Sequence, residues 1–202
     1  MSFFENTRKP VGLGGKIMVA MMNFGHSAMA AWGLHFLQPA PDAIVLDCGC
    51  GGGANIKTLL KLCPKGKVQG IDYSAVSVEK ARKVNAGAIA AGQCTVQQAS
   101  VAELPFEAEQ FDVVTAFETV YFWPDLTQNF REVYRVLKPG GTFFICNEAN
   151  GETAKDDKWT QIINGMTIYT DADLKVCLEQ AGFGRVQSHK NKKGWLCVTA
   201  QK

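Results

Sequence analysis

One run constrains this chain more than any other: Val45-Leu46-Asp47-Cys48-Gly49-Cys50-Gly51-Gly52-Gly53. Its first residues read as a strand buried on both faces. They lead directly into a glycine-rich turn, and a helical spacing of apolar positions follows at 55–62. Without Cβ atoms the turn can take unusual dihedrals and let a bound molecule lie close to the backbone. Gly49, Gly51 and Ala54 also satisfy the G-x-G-x-x-G/A dinucleotide pattern, so the turn by itself leaves two classes of ligand open.

The rest of the chain repeats the same alternation. Short β-rich runs at 43–47, 67–72, 95–99, 111–117 and 142–147 are separated by helical spacing at 55–62, 75–90 and 126–137. That rhythm predicts parallel βαβ units. Ser74 is placed to cap the second of these helices. A further helix is expected over 171–180, stopped by Gly182, and a hairpin closes the chain with strands at 185–190 and 195–200. Two short amphipathic helices, 15–24 and 27–37, precede the first strand, and Pro39 and Pro41 end them.

Composition narrows the function classes. At 202 residues, 47% hydrophobic and 20% charged, the chain fits one soluble domain. A formal charge of +2 offers no strong field for a polyanion, so nucleic acid is not an expected partner. Seven cysteines without paired spacing suit a reducing cytoplasm, and no second Cys/His cluster joins Cys48 and Cys50 to complete a zinc shell. The apolar stretch 17–37 contains a mimic of a cleavage site, Ala28-Met29-Ala30. Asn23, Gly25, His26 and Ser27 interrupt it, however, leaving six continuous apolar residues, too few to span a bilayer.

Two acids sharpen the choice of ligand. Asp72 ends the second β-run at about the spacing from the first at which an acid accepts ribose hydroxyls. Asp47, just before the first glycine, suits a ligand carrying an ammonium group and disfavours a pyrophosphate. Taken with these, Val45 to Gly51 resembles the first motif of the class I S-adenosylmethionine-dependent methyltransferases, particularly the small-molecule type related to ubiquinone and sterol methyltransferases. Gly70-Ile71-Asp72, Glu103-Leu104-Pro105-Phe106, Phe111-Asp112-Val113-Val114 and Arg135-Val136-Leu137-Lys138-Pro139-Gly140-Gly141 resemble its later blocks, in order.

The resemblance implies an α/β, Rossmann-like, doubly wound sheet of seven strands, mostly parallel, with an antiparallel C-terminal hairpin. It implies S-adenosyl-L-methionine as cofactor. Asp47, Gly49, Cys50 and Gly51 would face its methionine part, Asp72 the ribose and Tyr73 the adenine, with Ser100 and Val101 bordering the adenine and Phe117 beside the transferable methyl group. This chain has Ser100 where many relatives place an aspartate. Residues 1–41 would form a helical segment covering substrate, and 42–202 the methyltransferase domain, within one structural domain.

A sulfonium carries its own leaving group, so in-line transfer needs chiefly an aligned nucleophile and a dry site, and no metal. In open α/β sheets ligands lie beyond the carboxyl ends of strands, which points to residues 118–123 and 147–150 for the acceptor. Glu118, Tyr121 and His26 are the candidate catalytic residues, with Trp32, Phe122, Trp123 and Glu148 nearby; His35 and His189 are weaker candidates. The expected partner is a small molecule, with no nucleic acid and no membrane, and the protein a monomer or homodimer. Two other readings share the glycine turn: an NAD(P)-dependent oxidoreductase, and a non-catalytic cofactor-binding module.

Overall fold

A computed structural model describes Gly12, Gly14 and residues 25–202; the helix expected over 15–24 and the apolar run 17–22 lie outside the described residues. The chain then runs α1 (Ser27–Gly33), β1 (Ile44–Cys48), α2 (Ala54–Leu62), β2 (Lys67–Asp72), α3 (Ala75–Val84), α4 (Ala86–Ala90), β3 (Cys94–Gln98) and β4 (Phe111–Phe117). After these come α5 (Leu126–Val136), β5 (Leu137–Asn147), α6 (Ala154–Ile162), α7 (Asp171–Gln180), β6 (Gly184–Lys190) and β7 (Leu196–Gln201). The strands form one seven-stranded sheet in the order β3-β2-β1-β4-β5-β7-β6. β1 to β5 pair in parallel, and β7 joins β5 and β6 antiparallel.

Strand periodicity builds two cores. Leu46, Val114, Ala116, Phe143 and Ile145 face one side and pack with Phe130 and Val133 of α5 and with Leu174 and Leu178 of α7. Their neighbours Val45, Val113, Phe117, Phe144 and Cys146 face the other side, against Met29 and Ala30 of α1, Ile56 and Leu59 of α2, and Val78 and Ala81 of α3. A strand covered on both faces has no polar side to show, which is why these runs read as continuously apolar.

The elements expected within the described residues are present with shifted ends, and the shifts have causes. The single helix expected over 75–90 is broken at Asn85, whose buried amide donates to the carbonyls of Gly53 (3.0 Å) and Ala81 (2.9 Å). A tertiary hydrogen bond thus overrides local propensity. The helix expected over 27–37 is α-helical to Gly33 and tightens into a 3-10 turn, Leu34–Phe36. β5 begins at Leu137, ahead of the expected 142, because its glycines pair with the chain end: the Gly140 amide donates to Lys202, and the Lys202 amide to Gly141. α6 carries no apolar period; a capping box of Thr153 and Asp156 starts it.

Candidate functional site

β1 and β4 are neighbours whose connections leave the sheet in opposite directions, so a crevice opens beyond their carboxyl ends. A cavity of about 320 Å³ lies there, within the range of small-molecule sites. One wall is the turn from Gly49 to Gly52. Asp72 and Tyr73 from the end of β2, and Ser100 and Val101 after β3, border the same space. Phe117, Glu118, Thr119, Phe122 and Trp123 line the opposite wall, and His26 and Ser27 enter from the start of α1.

The turn is held by backbone geometry. The amides of Gly49 and Cys50 both donate to the carbonyl of Ile71 at 2.8 Å. Gly49 has φ +77, and a Cβ there would lie 2.2 Å from Thr119 Oγ1, so its lack of a side chain serves protein packing. Gly51 differs. Its φ is +51 and a Cβ would meet nothing within 4 Å, although the residue lines the cavity. The close approach of a ligand expected at the glycines is therefore open at Gly51. Thr119 falls within the 118–123 run expected to face the acceptor, but its packing on Gly49 and the hydrogen bond it accepts from Trp123 Nε1 at 3.1 Å are contacts that no local pattern signals.

The two acids occupy different environments. Asp72 is 7% exposed and lines the cavity, its carboxylate accepting from the amides of Gly51 (2.9 Å) and Ser74 (2.8 Å). Burial raises its pKa, and these hydrogen bonds oppose the rise. Asp47 is 1% exposed and lies behind the turn, outside the cavity lining. Its Oδ1 accepts from Thr115 Oγ1 at 2.8 Å, while Oδ2 is buried with no hydrogen-bond partner among the described residues. Burial pushes this carboxyl up to about 7. A buried carboxylate oxygen without a donor favours a cationic group nearby and disfavours a phosphate.

The other wall is polar where the chain leaves β4. Glu118 sits at φ +57, an uncommon backbone state for a residue with a side chain. Its Oε1 accepts from the Glu148 amide and from the Tyr121 hydroxyl at 3.2 Å, and its Oε2 lies 3.7 Å from His26 Nδ1. Burial pushes the Glu118 carboxyl up to about 8 and lowers the His26 pKa. Tyr121 does not line the cavity. It is 2% exposed, and its hydroxyl accepts from the Ala149 amide at 3.0 Å while reaching Glu118, which ties it to positioning that carboxyl.

Several expected neighbours lie elsewhere. None of residues 147–150 lines the cavity, and Glu148 reaches it only through Glu118 and His26. Trp32 packs against Phe36 and Trp195, His189 stacks on Phe36, and His35 Nδ1 lies 2.8 Å from the carbonyl of Ala31. The structure also explains two blocks of the sequence. Arg135 donates to the carbonyls of Leu104 (3.0 Å) and Phe106 (2.8 Å), so the 103–106 and 135–141 segments are halves of one contact.

Comparison with known proteins agrees with this arrangement. A methyltransferase domain family matches residues 46–145. The chain belongs to the class I S-adenosylmethionine-dependent methyltransferases. Among curated relatives, it is 29% identical over 143 residues to 24-methylenesterol C-methyltransferase 2 of Arabidopsis thaliana, covering 70% of this chain and 38% of that protein. It is 33% identical over 110 residues to the ubiquinone/menaquinone biosynthesis C-methyltransferase of Geotalea daltonii, covering 54% of this chain and 47% of the relative. The chain thus spans less than half the length of either. Among solved structures, a SAM-dependent methyltransferase from Aquifex aeolicus shares the fold with a TM-score of 0.75 at 20% identity, over 92% of this chain and 97% of the other. No described helix is long and apolar enough to cross a membrane.

Proposed function

We propose that the chain transfers a methyl group from S-adenosyl-L-methionine to a small-molecule acceptor by in-line displacement. The observation that carries this reading is that one cavity joins the glycine turn, Asp72 and Tyr73 on one side to Phe117 and Glu118 on the other. Bound there, the cofactor supplies an activated methyl group together with its leaving group.

The chain's own residues then bind, orient and exclude water. Gly51 leaves room for the ligand at the backbone, and Asp72, held by two amides, presents its carboxylate to ribose hydroxyls. Tyr73, Ser100 and Val101 border the adenine, and Cys50 and Gly49 shape the turn. Asp47 acts from behind the turn, its carboxyl favouring the ligand's ammonium across a medium of low dielectric once it is ionised. Phe117, 7% exposed, keeps water from the transferable methyl group. Glu118 and His26 orient the acceptor at the polar end, and Tyr121 positions Glu118. We further assign residues 1–41 to covering the acceptor end, with 42–202 as the methyltransferase domain. Seven free thiols suit a reducing compartment such as the cytoplasm.

Calorimetric titration with S-adenosylhomocysteine tests the reading. Saturable binding is expected, with at least a tenfold loss in Asp72→Ala, because a missing ribose acceptor leaves two hydroxyls unpaired. Stabilisation by NAD with none by S-adenosylhomocysteine in a thermal-shift assay would replace this function with a nicotinamide-dependent one.

A further inference from the structure

We propose that His26, Glu118 and Glu148 form a binding site for a divalent first-row metal ion at the acceptor end of the cavity. One donor atom from each of the three lies within 4.8 Å of the others. They come from three separate parts of the fold: the residue before α1, the residue after β4 and the residue after β5. One imidazole and two carboxylates form a mixed N/O donor set of the kind divalent first-row ions accept.

Distance decides between a direct contact and a bridged one. The 3.7 Å from His26 Nδ1 to Glu118 Oε2 is too long for a hydrogen bond. An ion about 2.1 Å from each atom would subtend an angle of about 120°, near the tetrahedral value and open enough for further ligands. An ammonium nitrogen about 2.8 Å from each would subtend only about 80°, narrower than its hydrogens allow. The spacing therefore fits a metal ion better than an amine.

The second support is how hydrogen bonds are distributed. Both hydrogen bonds to Glu118 end on Oε1, which leaves Oε2 turned to the imidazole. The Glu148 amide donates to Glu118, bringing two carboxylates together. Among the described residues neither the His26 ring nor the Glu148 carboxylate has a hydrogen bond. An imidazole and two carboxyl groups gathered in this way from three separate parts of the fold bring their donor atoms close enough together for one cation to join them. Tyr121, buried and bonded to Glu118 and Ala149, is the outer support that fixes a ligating carboxylate.

For the substrate the inference rests on the methyltransferase reading. An ion here selects an acceptor that offers an oxygen donor, such as a hydroxyl or carboxylate, over a wholly apolar one. Phe117, Thr119, Phe122 and Trp123 would hold the body of that acceptor beside the ion.

The test uses the full chain and Mn2+ alone, because Mn2+ has little affinity for the seven thiols that would confuse a Zn2+ titration. Loss of the free Mn2+ spin-resonance signal should follow a single saturable site. His26→Ala and Glu148→Gln should each weaken it at least tenfold while leaving the circular dichroism unchanged, and Glu118→Gln should do the same. Failure to saturate by about 1 mM, or equal binding in all the variants, overturns the site. Saturation by methylammonium with no Mn2+ binding also overturns it, in favour of an amine acceptor. Titration with S-adenosylhomocysteine is run in parallel. Its failure counts against the methyltransferase reading, while the Mn2+ result still decides the metal site.

Discussion

Asp47 holds an ionisable group where ionisation is disfavoured, and its sign of coupling to pH can be worked out. The unfolded carboxyl titrates near pH 4, and the folded one near 7. Between those values the folded chain keeps a proton that the unfolded chain has released. Stability from this group is therefore fully present below about pH 4 and is lost as pH rises to about 7, by up to roughly 4 kcal/mol. Urea midpoints should fall over that window in the wild type and fall less in Asp47→Asn. Affinity for S-adenosylhomocysteine should move the other way, rising as the carboxylate ionises to meet an ammonium and staying flat in the variant, as calorimetry across the same window would read. The glycines show how much of the site the sequence displays. Their spacing marked the turn, but the different reasons for Gly49 and Gly51 depend on Thr119, which only the folded chain brings near. Gly49→Val should fail to fold stably, because even its Cβ meets Thr119. Gly51→Val should cost only the ~1–2 kcal/mol of a side chain at positive φ, yet lower S-adenosylhomocysteine affinity at least tenfold.

At the level of elements, period and turn chemistry made the sheet and its crossovers legible, since buried parallel strands advertise themselves as apolar runs between helical stretches. What stayed hidden were interruptions set by distant partners. The break between α3 and α4 is the clearest case: residues 75–90 read as one helix, and the break exists because Asn85 reaches the glycine turn. α6 stayed hidden for the opposite reason, having a capping box but little apolar surface to bury. Two effects oppose one another in Asn85→Ala. Helix propensity gains at most ~0.7 kcal/mol, while the buried Gly53 and Ala81 carbonyls lose a donor, at about 1–3 kcal/mol. The second effect wins. The variant should be less stable by about 1–2 kcal/mol in urea, and it should bind S-adenosylhomocysteine more weakly because Gly53 and the turn lose their brace.

For the whole molecule, the described stretch before β1 is part of the fold, whatever cover it provides for the acceptor end proposed above. Met29, Ala30 and Leu37 are 0%, 3% and 5% exposed, and they seal the sheet face formed by Phe144, Cys146 and Cys197. α1 approaches so closely that a Cβ on Gly33 would lie 2.3 Å from Cys146 Sγ. That approach also places His26, one residue before the helix, beside Glu118. The proposed acceptor contact and core closure thus share one element; the sequence showed the 27–37 helix and marked His26, but the close packing of Gly33 on Cys146 depends on the sheet beneath it. Burying two large apolar side chains and an alanine contributes roughly 4–6 kcal/mol, a large part of the 5–15 kcal/mol that holds a typical domain together. Removing residues 1–38 should therefore lower the melting temperature by roughly 10–20 °C for a domain of this size, or prevent folding. A detachable lid would instead leave the melting temperature unchanged and speed ligand exchange. Gly33→Leu probes the proposed acceptor contact within an intact chain, at some cost in stability from the disturbed core. Pushed off Cys146, α1 carries His26 away from Glu118, so methyl transfer should fall at least tenfold while S-adenosylhomocysteine affinity, set on the far wall by Asp72 and Gly51, changes less than threefold.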